Sequence, residues 1–188
     1  MSNYSFVSPS DFSFTASKKK IEVRCKIVGV PRPMHRARIA NKNNAHLFSP
    51  NDDNMNSFIS AVETALKNSK SKPHFDIENT AGPVELIVNF YFARPKAHFV
   101  WDSQTGTHRV PSSAPHFVTK KPDVDNLVKL VMDALQNLFY RKDQCVAHIN
   151  AKKLWMEKPG ENFIENKAVL GCTIFHIIKH KNNSCNNF

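Results

Sequence analysis

Asp123 and Asp125, set two apart in the run Lys121-Pro122-Asp123-Val124-Asp125-Asn126-Leu127-Val128-Lys129, are the residues best able to do chemistry, and Asp143 stands some way beyond them. The rest of the chain is strongly basic: 26 Lys and Arg against 16 Asp and Glu give a formal charge of +10 over 188 residues. Carboxylates gathered in a basic field suit the holding of a divalent cation against a phosphodiester, which makes cleavage of DNA or RNA the first hypothesis. Magnesium takes oxygen ligands, usually one or two carboxylates completed by waters and substrate phosphate. Asp123 and Asp125 supply such a pair, and Asp143 can swing back to supply a third. Lys129, one helical turn past Asp125, can neutralise the scissile phosphate or orient the attacking water.

A helix over about 125–138 must position this set. Leu127, Leu130, Val131, Ala134, Leu135 and Leu138 fall on one apolar face, while Asp125, Lys129 and Asp133, spaced by four, stack along the opposite side. Asp123 lies just before the helix, held extended by Pro122, so both aspartates converge where backbone N–H groups also favour phosphate. A plainer account competes. Asp-x-Asp-Asn before a helix is a common capping pattern, and Asp125, Lys129 and Asp133 can form an ordinary surface ion-pair ladder worth only about 0.3–0.5 kcal/mol per pair. Val128 and Met132, off the main stripe, suggest a second packing surface such as a dimer interface, while Phe139 and Tyr140 read as closing the core beneath the helix end.

The remaining elements follow from periodicity. Residues 20–30 alternate as a strand, 52–68 carry a helical stripe of Met55, Phe58, Ile59, Val62, Ala65 and Leu66, and 84–92 form a second strand. Strands are expected at 145–156 and 167–178. After the second strand, 94–121 reads as a long loop with five Lys or Arg, three His and three Pro against the single acid Asp102. The fold class is α/β, a two-layer sandwich with helices packed on a mixed sheet. Residues 1–19 are expected to be a disordered arm, 20–180 the folded domain and 181–188 a flexible tail.

A hydrophobic share of 41% is enough for a core. No apolar stretch of about 18 residues exists to span a membrane, so the polyanion implied by the charge is nucleic acid. Cys25, Cys145, Cys172 and Cys185 are scattered without a CxxC pair and look like reduced intracellular thiols. The Asn- and Lys-rich, glycine-poor style is in keeping with an AT-rich genome such as a virus or phage carries.

The run from Lys121 to Lys129, continued by Asp133-Ala134-Leu135 and Asp143-Gln144-Cys145-Val146, resembles the RusA family of Holliday junction resolvases. Gly29-Val30-Pro31-Arg32-Pro33-Met34-His35-Arg36-Ala37-Arg38 is similar to its basic opening, and Phe90-Tyr91-Phe92-Ala93-Arg94-Pro95-Lys96 to its second-strand exit. The resemblance covers about 20–156. It implies a homodimeric endonuclease dependent on Mg²⁺ (or Mn²⁺) that nicks four-way DNA junctions symmetrically in recombination and repair. Asp123, Asp125 and Asp143 would be the metal-binding catalytic carboxylates and Lys129 the supporting lysine. Two departures stand out. Lys142 occupies one place of the family's acidic pair, and the connection 136–142 lacks the familiar glycine. The strand near 167 has no counterpart and reads as an elaboration.

Arg36, Arg38, Arg94, Lys96, Lys120, Lys121 and Lys153 are the expected DNA contacts, mostly to phosphates, which position a duplex without reading its bases. Two other accounts stay open: a non-catalytic junction-binding protein, and a flap or general structure-selective nuclease.

Overall fold

The computed structural model describes residues 4, 12–34, 38–39, 47–48, 52–69, 82–157 and 171–181. Its centre is a five-stranded mixed sheet in the order β1-β2-β9-β5-β8, built from β1 (Phe12–Ala16), β2 (Lys20–Val28), β5 (Val84–Phe92), β8 (Val146–Trp155) and β9 (Gly171–His180). Two short hairpins, β3 (Arg38–Ile39) with β4 (Leu47–Phe48) and β6 (Val100–Asp102) with β7 (Thr107–Arg109), stand outside it. The helices are α1 (Asp52–Asn68) and α2 (Val124–Leu135). The expected α/β sandwich is therefore present, and among the described residues no helix is long and apolar enough to cross a membrane.

Alternation makes the sheet two-faced. Val23, Cys25 and Ile27 of β2, Val84, Leu86, Val88 and Phe90 of β5, and Phe175 and Ile177 of β9 are buried together with the apolar stripes of both helices. Phe175 stands at the middle, its ring 6.3 Å from Phe58 of α1 and 6.1 Å from Phe139 just beyond α2. The other face carries polar pairs between strands, including Glu85 with His148 at 3.4 Å and with His180 at 2.6 Å. Val128 is buried in the core cluster, and Met132 packs against that cluster while staying partly exposed. Phe139 and Tyr140 are buried there too.

Several expectations need correction. Residues 12–16 are not part of a disordered arm: Phe12 to Ala16 pair antiparallel with Cys25 to Ile21. Tyr4 is also buried, its ring 5.2 Å from Phe58 and its hydroxyl accepting the Arg32 N–H at 2.9 Å. Burial pushes the Tyr4 hydroxyl up to about 12, in spite of that hydrogen bond. The last strand is no elaboration. β9 lies between β2 and β5, antiparallel to both, at the centre of the sheet. Of the expected tail 181–188, Lys181 donates its N–H to the Lys19 carbonyl at 2.8 Å, and 182–188 lie outside the described residues.

β5 and β8 are parallel, and α2 lies on the connection between them. Such a crossover sends the helix back across the sheet, so its N-terminus stands at the carboxyl ends of the two strands, the usual place for a site in this geometry.

Candidate active site

α2 starts at Val124 because Asp123, extended at φ −73° and ψ 143°, takes the N-cap position and Asp125 falls in the first turn, where the helix dipole favours a negative charge. The carboxylate of Asp123 makes no capping hydrogen bond. The capping account thus describes the backbone of Asp123 and leaves its side chain unused. Among the described residues neither Asp123 nor Asp125 has a side-chain hydrogen bond or ion pair, and both are exposed. Leu127, Val128, Leu130, Val131, Ala134 and Leu135 occupy the buried side, which fixes the acidic side outward.

The helix ends at Leu135, three residues earlier than periodicity predicts. Asn137 takes a left-handed φ of 64°, a conformation Asn tolerates better than most residues, and so stands in for the missing glycine of this connection. Asn137 N–H donates to the Tyr140 carbonyl at 2.7 Å, and Tyr140 in turn donates its hydroxyl to the Met132 carbonyl at 2.7 Å. That closure delivers Asp143, in the single 3₁₀ turn Asp143–Cys145 that precedes β8, to the side of α2.

There the geometry departs from three convergent carboxylates. Lys129 Nζ donates to Asp133 Oδ1 at 2.6 Å and to Asp143 Oδ2 at 3.1 Å. The ladder of Asp125, Lys129 and Asp133 is thus only half formed, with Lys129 paired forward. Among the described residues no three His, Cys, Asp or Glu side chains are close enough to share one metal ion. Helix rise accounts for this. At about 1.5 Å per residue, Lys129 sits roughly 6 Å along the axis from Asp125, and Asp143 is bonded at that lower level. Hydrogen bonding to Asp133 first, and to Asp143 after it, raises the Lys129 pKa against a smaller opposing effect of burial, so its ammonium is fully charged at neutral pH.

Asp133 was absent from the expected site, although its place four residues beyond Lys129 was the available signal. The donor set is nonetheless that of a hard cation: carboxylate oxygens only. One observation favours such a group directly. Asp143 Oδ1 is buried and has no hydrogen-bond partner among the described residues, a costly state for a carboxylate oxygen unless something positive completes it.

The stretch carrying Asp123 is fastened to the edge of β8. Val118 N–H donates to the Lys153 carbonyl at 3.0 Å and Trp155 N–H to the His116 carbonyl at 3.1 Å. Lys153 Nζ then donates to the carbonyls of Lys120 at 2.8 Å and Pro122 at 2.7 Å, across the cis Lys121-Pro122 bond. Lys153, expected on DNA, is turned inward to hold the loop that presents Asp123. Replacing it with Met is expected to cost about 2 kcal/mol, since a charged hydrogen bond contributes on the order of 1.5–3 kcal/mol, the bond to Lys120 is exposed and adds little, and Met keeps the bulk of the stem. Urea unfolding of the Lys153→Met variant measures this, and an unchanged midpoint would show the bonds to be dispensable.

The other expected DNA contacts divide. Arg94 spends its Nε on the Met156 carbonyl at 2.9 Å and its Nη1 on the Pro115 carbonyl at 2.8 Å. Lys96, Lys120 and Lys121 are exposed. Arg36 and the side chain of Arg38 lie outside the described residues, as does Cys185. Among the described residues Cys25, Cys145 and Cys172 form no disulfide.

Comparison with known proteins agrees with the residues. The family model for endodeoxyribonuclease RusA matches residues 29–164. The uncharacterized protein YqaN of Bacillus subtilis (strain 168) is 36% identical over 95 residues, covering 50% of this chain and 63% of that protein, so the match spans less than two thirds of the relative's length. No solved structure matches the chain at a significant level. With a two-layer α/β frame and a family match over most of its length, the chain belongs to the endodeoxyribonuclease RusA family.

Proposed function

We propose that this protein resolves four-way DNA junctions by paired, symmetric nicks that depend on Mg²⁺ or Mn²⁺, acting as a homodimer that places one site on each of two strands. The observation that carries this is the pair of carboxylates at the start of α2, unengaged among the described residues, with the buried oxygen of Asp143, unpartnered among them, about one helical turn further on. Asp123, Asp125 and Asp143 are the residues that would hold the cation. When bound, it supplies charge neutralisation at the scissile phosphate and lowers the pKa of the attacking water.

The chain's own part is positional. Lys153 fixes the loop that orients Asp123. Lys129 keeps Asp143 beside the helix until DNA arrives, then trades that contact for a phosphate oxygen, freeing Asp143 towards Asp125. Lys96, Lys120 and Lys121, exposed near the same end of the sheet, add backbone contacts that suit recognition by branch shape. The N-terminus of α2 contributes further attraction for phosphate.

A labelled four-way junction incubated with the purified chain and Mg²⁺ tests the proposal. Paired symmetric nicks, abolished by EDTA, are expected, with flaps and plain duplexes cut far less. No cleavage across a range of metals and salt would defeat it. That outcome with junction affinity intact would favour the second account, a junction-binding protein without catalysis, for which Lys142 in place of an acid and the Lys129–Asp143 ion pair are the specific observations. Equal cutting of flaps would make the chain a general structure-selective nuclease instead.

A further inference from the structure

The long basic segment between β5 and α2 contains a built hairpin and a cavity that the nicking chemistry leaves unused. β6 and β7 pair Val100 with Arg109, Trp101 with His108 and Asp102 with Thr107. Asp102 organises the turn: its carbonyl accepts the Gly106 N–H at 2.9 Å and its Oδ1 accepts the Gln104 N–H at 3.0 Å. Gly106, at φ 63°, supplies the left-handed residue that closes it. Oδ2 of Asp102 lies 3.6 Å from Arg109 Nε. The hairpin is therefore held by its own bonds.

It presents Trp101 with 61% of its surface exposed. His108, across the ladder, braces the indole edge-on at 5.2 Å. The same His108 lines a cavity of about 750 Å³ together with Arg94, Arg109, Ser112, His116 and one acid, Glu157. Arg94 is clamped by two carbonyls through Nε and Nη1, leaving Nη2 without a partner among the described residues. A rigid guanidinium, a second exposed one, hydroxyls and imidazoles around an open cleft form a donor-rich site for an anion. An exposed indole beside it offers a flat apolar surface. Phosphate and base together match that combination, and a duplex hides its bases in the stack.

We propose that the β6–β7 hairpin and its cavity form a docking site for an unpaired segment of DNA, with Trp101 stacking on a base and Arg94 and Arg109 taking the adjoining phosphates. The proposal rests on the DNA-nicking function and adds a substrate element to it. Its position suits the task. His116, on the cavity wall, and Asp123 are seven residue steps apart, along a stretch that runs by the edge of β8. Even fully extended, that stretch spans at most about 25 Å. A strand leaving the cavity therefore reaches the carboxylates within about seven nucleotides at roughly 3.4 Å each.

The full chain in EDTA, which blocks cleavage, is titrated against a labelled oligothymidine and a duplex of equal length, with anisotropy as the readout. Trp101→Ala is expected to weaken single-strand binding about tenfold, as loss of one stacked base does, and to leave duplex binding unchanged. Arg109→Gln is expected to weaken single-strand binding several-fold and to make its salt dependence shallower. Both residues lie outside the core, and matched thermal melts check that the fold is kept. Unchanged single-strand affinity in both variants overturns the proposal, as does an equal loss on duplex. Displacement of oligothymidine by polyglutamate at the same concentration overturns it too, since the site would then accept any polyanion. The two hypotheses separate cleanly: junction nicking by a chain indifferent to Trp101 removes only the docking site, and Trp101-dependent binding without nicking removes only the nuclease.

Discussion

Asp123→Asn is expected to reduce junction cleavage by about a thousandfold or more while leaving junction binding intact. Asn matches Asp in size and shape, so the exchange removes one negative charge and little else. Because the Asp123 side chain makes no capping bond, the helix start does not depend on that charge, and the thermal midpoint should hold. A group acting only through charge stabilisation in the reacting complex is worth on the order of 2.7–4 kcal/mol when deleted, and a carboxylate holding a cation is at least as demanding. Binding should stay level or improve, since one repulsion against phosphate is gone. Single-turnover cleavage and anisotropy on the same junction separate the two effects. Cutting by the variant within tenfold of the parent would show that Asp123 is not a site residue. Asp133→Asn should have a smaller effect, acting through the seating of Lys129.

Phe175→Ala should be the most damaging single change to stability, at about 3–5 kcal/mol. Phe175 is fully buried on the middle strand and touches both helical layers, through Phe58 and Phe139. No single neighbour can collapse into the space left, since the β2, β9 and β5 backbones on either side are fixed by ladder bonds. Against a total of about 5–15 kcal/mol for a natural domain, such a loss removes much of the margin. Urea denaturation gives the number, with Ile149→Ala on the exposed part of β8 as a control expected within about 0.5 kcal/mol of the parent. A Phe175→Ala loss below about 1 kcal/mol would contradict the central place of β9.

Local pattern made much of this fold legible. Alternation located β2, a heavily apolar run located β5, helical spacing located α1, and the leucine stripe of α2 declared its buried side, hence the side that Asp125 and Lys129 must share. Three things were hidden because they depend on partners distant in sequence. β1 is only five residues and earns its strand from pairing with β2, so Phe12 and Phe14 alone read as a loose arm. β6 and β7 are three residues each, too short to show a period, and only Gly106 marked the turn. Strand order is invisible to periodicity, so β9 looked peripheral. At the site the split was similar. The residue types and the helix were readable, but the inward role of Lys153 needs the parallel β5–β8 pair and the loop folded along its edge. The engagement of Lys129 with Asp143 needs the turn after α2, which no helical wheel contains.

The strand in the middle of the sheet is also the last of the described strands to be translated. Until β9 emerges from the ribosome, β2 and β5 have no neighbour to join them, and the two faces of the sheet cannot close over one core. At about 5–20 residues per second, the nascent chain spends several seconds with its acidic helix made but its scaffold open. A message truncated before the codon for Gly171 would therefore yield a chain unable to fold around Phe175.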